Sequence, residues 1–166
     1  MAPNVRQTFW KAFAANPVVM IRLEGDAGRG ASHGQPHCEA HSEPMTALLD
    51  RDAHHAVWFV CRRDNRIGKG GRATAQVMTL GHEVFASLSG TLVEETDPAA
   101  RSRHWSQVAE DWFPHGHGDP AVTMLRFEIE DAEVWTLDAG IKGLFRLATG
   151  GTIDPARIGE HETGVV

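Results

Sequence analysis

Between Pro17 and Leu137 the chain is a succession of short β-rich runs bounded by turn residues, and no other feature limits its fold as tightly. "PVVMIRLEG" reads as a buried strand; "HSEPMTALLD", "AVWFVC", "GRATAQVMTLG", "EVFASLSGTLVEE" and "AVTMLRFEIEDAEVWTL" follow it. In the last run Thr123, Leu125, Phe127 and Ile129 recur at every second position, the period of a half-buried strand. About six strands joined mostly by short links leave no room for repeated helical crossovers, so the pattern predicts a mainly β, antiparallel barrel rather than βαβ units.

One strand carries an apparent contradiction. Pro44 and Glu43 sit inside the run from His41 to Asp50. Proline has no N–H for a ladder, so this segment belongs at a sheet margin or at a deliberate bend, a common place to meet a ligand.

Helices flank the strands. "NVRQTFWKAFAANP" puts Val5, Phe9, Ala12 and Phe13 at helical spacing, opens on the capping-type residue Asn4 and stops before Pro17. "DPAARSRHWSQVAEDWF" predicts a second helix, with Asp97 as N-cap and Trp105, Val108, Ala109 and Trp112 on one stripe. "GIKGLFRLATGG" reads as a last helical segment, and "EGDAGRGASHGQP" as a loop rich in small residues. No repeat or linker divides the chain, and 166 residues suffice for one domain, residues 1–166, with a core that needs no staples.

Charge excludes one class of function. Lys plus Arg number 16 against 22 Asp plus Glu, a net charge of -6, which disfavours a general nucleic-acid binder. The local exception is Arg62, Arg63, Arg66, Lys69 and Arg72, a basic patch that suits one small anion better than a polyanion. Cys38 and Cys61 form neither a disulfide framework nor a CxxC pair, which predicts reduced thiols in a cytoplasmic protein. The first residues lack the apolar stretch of a signal peptide, and no run reaches membrane-spanning length.

Ten histidines invite a metal reading. His33, His37 and His41 are four apart with Cys38 among them, which on a helix would stack three imidazoles on one face. Gly34 and Pro36 argue against that helix; on a strand, His37, Glu39 and His41 would share a face. Solvated loop histidines are the simpler reading, so no metal is expected, and His54, His55, His115 and His117 read as turn residues. No serine sits in a GxSxG elbow, Cys61 lacks a catalytic neighbourhood, and "GDAGRG" and "GKGG" match neither nucleotide fingerprint. With no tyrosine, any acid or base would be His, Asp or Glu.

The order of the pieces says more than each alone. A strand holding "SEPMT", a second holding "VWFVCRRDNR", a third holding "VFASLSGTL", a helix ending "WFPHGHGDP" and the strand "TMLRFEIEDAEVW" resemble the general stress protein branch of the pyridoxamine 5'-phosphate oxidase-like superfamily. The resemblance runs from about Phe9 to Leu147. Its most specific part is "WFPHGHGDPAVTMLRFEIEDAEVW", where the family shows a WFPGG-like turn, an acidic-proline pair, a Leu-Arg strand and a final tryptophan.

That resemblance implies a six-stranded Greek-key split barrel with flanking helices. It also implies a symmetric homodimer with FMN at the interface and a low-specificity flavin-dependent oxidoreductase; FAD is not excluded. Carried over by position, the flavin ring would meet backbone groups of Met45, Thr46 and Ala47, with Val60 and Cys61 among the contacts. The phosphate would be held from two segments. Where the family has an Arg before the Pro-Met pair this chain has Glu43, and where it has a Ser-His/Arg-Lys run this chain has Asn65, Arg66 and Ile67. Asn65 and Arg66 remain as donor and cation, and Lys69 is a substitute for the missing lysine. The implied binding is correspondingly weak.

Glu43 has three readings. Facing a phosphate it would cost about 4 kcal/mol at ~4 Å and an effective dielectric near 20. Bridged to Arg66 or Lys69 it would neutralise the site, and turned to solvent it would do nothing. Trp135 either packs near the partner's flavin, as the resemblance implies, with Lys142 or Arg146 following it, or is a core residue at a strand end. Two further readings stay open: a flavin-binding stress protein without turnover, and a degenerate barrel that has lost FMN.

Overall fold

The computed structural model describes residues 3–25, 41–53, 55–80, 83–105, 107–116, 118–137 and 159–164. Helix α1 (Pro3–Ala15) is followed by strands β1 (Val18–Leu23), β2 (Glu43–Thr46), β3 (Leu48–Leu49), β4 (Ala56–Arg62), β5 (Gly71–Met78) and β6 (Val84–Glu94). Helices α2 (Pro98–His104) and α3 (Gln107–Trp112) then lead to β7 (Val122–Leu137), and β8 (Gly159–Gly164) ends the described chain.

All eight strands join one antiparallel sheet in the order β2-β1-β5-β6-β7-β4-β3, with β8 paired to β7. The two ends of that order, β2 and β3, are consecutive in the chain and separated by Ala47 alone. The sheet therefore curls back on itself, and segment 43–49 spans the split: β2 pairs with β1, and β3 pairs with β4. With β2 and β3 counted as one bent strand, β1 to β7 make the six strands of a split barrel. β8 is an addition on the flank of β7 that the pattern of the sequence does not announce.

Pro44 now has a physical explanation. It lies on a strand that ends the hydrogen-bonded order, where a missing N–H interrupts no second ladder. The bend follows at Ala47, which is buried and whose N–H donates to Pro17 O at 2.7 Å.

The core fills the barrel and the gap beneath α1. Phe9 and Phe13 of α1 are fully buried and stack with centroids 5.5 Å apart. They pack with Phe59, Phe127, Leu88 and Leu125, whose burial is worth roughly 1.5–3 kcal/mol per side chain. Strand β1 alternates exposed and buried along its length, as its sequence requires. In β7 the alternation changes phase: Leu125, Phe127 and Ile129 face the core, and then Ala132 and Val134 do. A bulge opposite Ser89 and Gly90 absorbs the extra residue, Glu130, so both halves of the strand keep an apolar face inward.

The second predicted helix is two. Asp97 caps α2 by accepting the N–H groups of Ala99 and Ala100, as expected. Trp105 then leaves helical geometry (φ -68, ψ 114), and α3 begins at Gln107. The expected stripe is broken accordingly: Ala109 is buried and Trp105 half-buried, but Trp112 is 77% exposed. Among the described residues no helix is long and apolar enough to cross a membrane. "GIKGLFRLATGG" and its Lys142 and Arg146, together with His33, His37 and Cys38, lie outside the described residues; His41 is exposed.

Candidate functional site

The bend between β2 and β3 opens one side of a groove of about 470 Å³. Met45, Thr46 and Leu48 come from the bent segment, and Val60, Cys61 and Arg62 from the end of β4. Asp64 and Asn65 close the polar end, and Ala109, Trp112 and Phe113 of the α3 region form the opposite wall. The result is an apolar slot with charged and amide groups at one end, the form taken by small-molecule sites.

The backbone adds donors and acceptors. β2 pairs only with β1, through a register that sets Thr46 opposite Val18. Because Ala47 N–H is spent on Pro17 O, the alternation of an antiparallel pair turns the N–H and C=O of Thr46 to the opposite edge. Of the expected ring contacts Met45, Thr46 and Ala47, the first two line the groove. Ala47 does not: it is buried and its N–H is already engaged.

The polar end is a tight turn that the sequence builds with care. Asn65 Oδ1 accepts Ile67 N–H at 3.0 Å, and Gly68 N–H donates back to Asn65 O. A Cβ on Gly68 would lie 2.5 Å from Arg63 O, so the turn excludes any larger residue there. Ile67, at 1% exposure, is the apolar anchor of the turn in the barrel core. The position matched to the family's lysine thus serves packing here, and its side chain is not offered to the groove. Asn65 keeps its Nδ2 as the atom it can present to a ligand.

The basic patch is not bare. Arg62 grips Asp64 through Nε (2.9 Å) and Nη2 (3.0 Å), and Arg63 donates to Glu94 at 2.6 Å and to Pro120 O at 3.0 Å. Arg72 lies against Glu130 and Glu24, and Arg66 Nε stands 3.4 Å from Glu43 Oε1. Arg62, Arg63, Arg66 and Arg72 each have a carboxylate partner, so the basic patch read from the sequence is largely neutralised in the fold. Among the three readings of Glu43, the bridge to Arg66 is the arrangement found. Hydrogen bonding to Arg62 holds the Asp64 carboxyl below its usual range, and hydrogen bonding to Arg63 does the same for Glu94.

Cys61 is buried, and that burial pushes its thiol up to about 11, with Arg63 opposing and Asp64 adding to the rise. It lines the groove as a neutral, weakly polar wall and is no nucleophile at neutral pH. Lys69 is exposed and does not line the groove. Trp135 is also elsewhere: it pairs with Phe85 across β6 and β7, and its ring stacks on His161 at 5.0 Å. The sequence reading therefore located Met45, Thr46, Val60, Cys61 and Asn65 at the groove, with Glu43 and Arg66 bridged beside them. Arg62, read from the sequence as part of a basic patch, also lines the groove, and Leu48, Asp64, Ala109, Trp112 and Phe113 were not anticipated. Trp112 and Phe113 open the "WFPHGHGDP" motif, which was the available signal.

Residues 34–152 match the family described as pyridoxamine 5'-phosphate oxidase like. No curated protein matches the chain. Among solved structures, a candidate general stress protein 26 from Jannaschia sp. CCS1 superposes with a TM-score of 0.74 at 26% identity, over 99% of this chain and 100% of that one. A candidate general stress family protein from Xanthomonas campestris pv. campestris has a TM-score of 0.69 at 31% identity, over 85% and 94% of the two chains. The general stress FMN/FAD binding protein from Xanthomonas citri has a TM-score of 0.68 at 32% identity, over 84% and 96%.

Proposed function

The chain belongs to the pyridoxamine 5'-phosphate oxidase-like family, and from that premise we propose that its groove holds a flavin, FMN in the first place, in a cytoplasmic homodimer acting as a low-specificity oxidoreductase. The observation that carries this reading is the convergence of Thr46, with its outward backbone edge, Val60, Cys61 and Asn65 on one apolar slot. A bound flavin supplies the two-electron chemistry, and the chain supplies binding, orientation and exclusion of water. Met45, Leu48, Val60 and Phe113 would cover the ring system, and Thr46 N–H and C=O would meet its polar edge. Asn65 Nδ2 and Arg66 would serve the phosphate.

The fit is good for the ring and poorer for the phosphate. Glu43 neutralises Arg66, and Asp64 neutralises Arg62, so these two pairs bring no net positive charge to a dianion. Weak FMN binding follows. The homodimer is supported by an apolar row on the outer face of the sheet: Val18 (44% exposed), Met20 (45%) and Met78 (55%) are neighbours across β1 and β5. Trp135 would contribute from the partner subunit, as the resemblance implies.

The Glu43–Arg66 bridge and the buried Ile67 favour a second reading, a barrel that keeps the groove without flavin turnover. The visible spectrum of the purified protein, before and after FMN is added, separates the two. Flavin absorption that shifts on binding and bleaches with a reductant supports the first. Failure to bind at millimolar FMN removes it.

A further inference from the structure

The groove wall opposite β2 and β4 is held in place although α3 has only six residues. Ala109, 4% exposed, anchors the helix. Phe113 N–H donates to Ala109 O at 2.8 Å and Gly116 N–H to Phe113 O at 2.9 Å, and a φ of 75° at Gly116 turns the chain away. Ala109, Trp112 and Phe113 stand three and four residues apart, so they share one face of the helix, and all three line the groove.

Trp112 differs from those two companions in being 77% exposed. On the solvent side of a helix it would be an ordinary surface residue. Instead it lies on the face that carries the buried anchor, across the slot from Met45, Leu48 and Val60, all half-buried. Its apolar area leaves water when a planar ligand enters the slot, so that burial counts toward binding and not toward folding. An aromatic face also gives a planar ring an offset stack that the aliphatic wall does not. At the polar end, by contrast, the Glu43–Arg66 and Asp64–Arg62 pairs bring no net positive charge.

Resting on the flavin reading of the groove, we propose that Trp112 closes the slot over the isoalloxazine ring and makes the site selective for the planar ring rather than for the phosphate. The ring then carries most of the affinity, and FMN and riboflavin are both ligands.

Flavin fluorescence titrations of FMN and riboflavin with the unaltered chain, Trp112→Ala and Trp112→Phe test this. The unaltered chain is expected to bind the two flavins within a few-fold of each other. Trp112→Ala is expected to weaken both by about tenfold, and Trp112→Phe, which keeps an aromatic face, to recover most of the loss. The unfolding midpoint and the sedimentation of Trp112→Ala should match those of the unaltered chain, because the side chain is exposed. If the unaltered chain binds neither flavin, the flavin reading falls and this inference with it. If it binds both and Trp112→Ala binds them equally well, the flavin reading stands and the role of Trp112 is overturned. A loss confined to FMN, no recovery with Trp112→Phe, or a changed sedimentation that places the indole between copies of the chain overturns it as well.

Discussion

Glu43→Gln is expected to tighten FMN binding and to leave riboflavin unchanged. In the native chain Glu43 Oε1 lies 3.4 Å from Arg66 Nε, with the two side chains 26% and 56% exposed. Such a partly solvated pair adds at most about 1 kcal/mol to stability, so the substitution should move the unfolding midpoint little. Its effect on a phosphate is different in kind. A net-neutral pair becomes a single cation, and a charge removed ~6 Å from a phosphate at an effective dielectric of ~40 is worth about 1.4 kcal/mol, or tenfold in Kd. Riboflavin has the ring without the phosphate and should not respond. Fluorescence titrations of both flavins at low and high salt measure this, and the gain for FMN should shrink as salt screens it. An equal change for riboflavin would place Glu43 against the ring. A loss of FMN affinity would mean that Glu43 is needed to orient Arg66, and the electrostatic argument would be refuted.

Three further outcomes are expected. Cys61, buried with its thiol raised to about 11, should react with iodoacetamide at pH 8 in a Cys38→Ser background only after unfolding; fast labelling of native protein would contradict its burial. Gly90→Ala should destabilise by about 1–3 kcal/mol or more in chemical denaturation, because the added Cβ would sit 2.0 Å from Glu128 O at the β6–β7 bulge; an unchanged midpoint would mean that the strands part there without cost. The folded-state pKa of His104 is lowered by burial, so the unfolded chain binds more protons and stability should fall as pH drops below about 6.5; His104→Gln should flatten that part of the pH–stability curve, and an unaltered slope would assign it to other groups.

Local patterns reached the barrel because each strand carries its own period and its own turn residues. They could not reach β8, whose sequence GEHETG has no β-branched apolar residue and is a strand only because β7 offers it an edge. The helical period runs unbroken through Trp105, so the break between α2 and α3 was invisible, and with it the transfer of Trp112 from a core stripe to the groove wall. The groove residues of β2 and β4 were legible through a family resemblance, since nothing in their spacing distinguishes Met45 or Val60 from core.

The charges show the limit most clearly. Arg62, Arg63, Arg66 and Arg72 crowd one turn and the start of β5, which along the chain reads as a basic patch. In an antiparallel barrel the neighbours of a turn come from strands far off in sequence: Glu94 reaches Arg63 from β6, Glu130 reaches Arg72 from the bulge in β7, and Glu43 reaches Arg66 from β2. Asp64 beside Arg62 is the one partner two residues away, and so the one a reader of the sequence could have paired. A run of like charge in a β-rich chain is therefore evidence about an anion site only after the register of the sheet has assigned its counter-charges. Here the register leaves the Arg66 cation balanced by Glu43, which makes that carboxylate the residue whose removal would most directly create the phosphate site that the sequence first suggested.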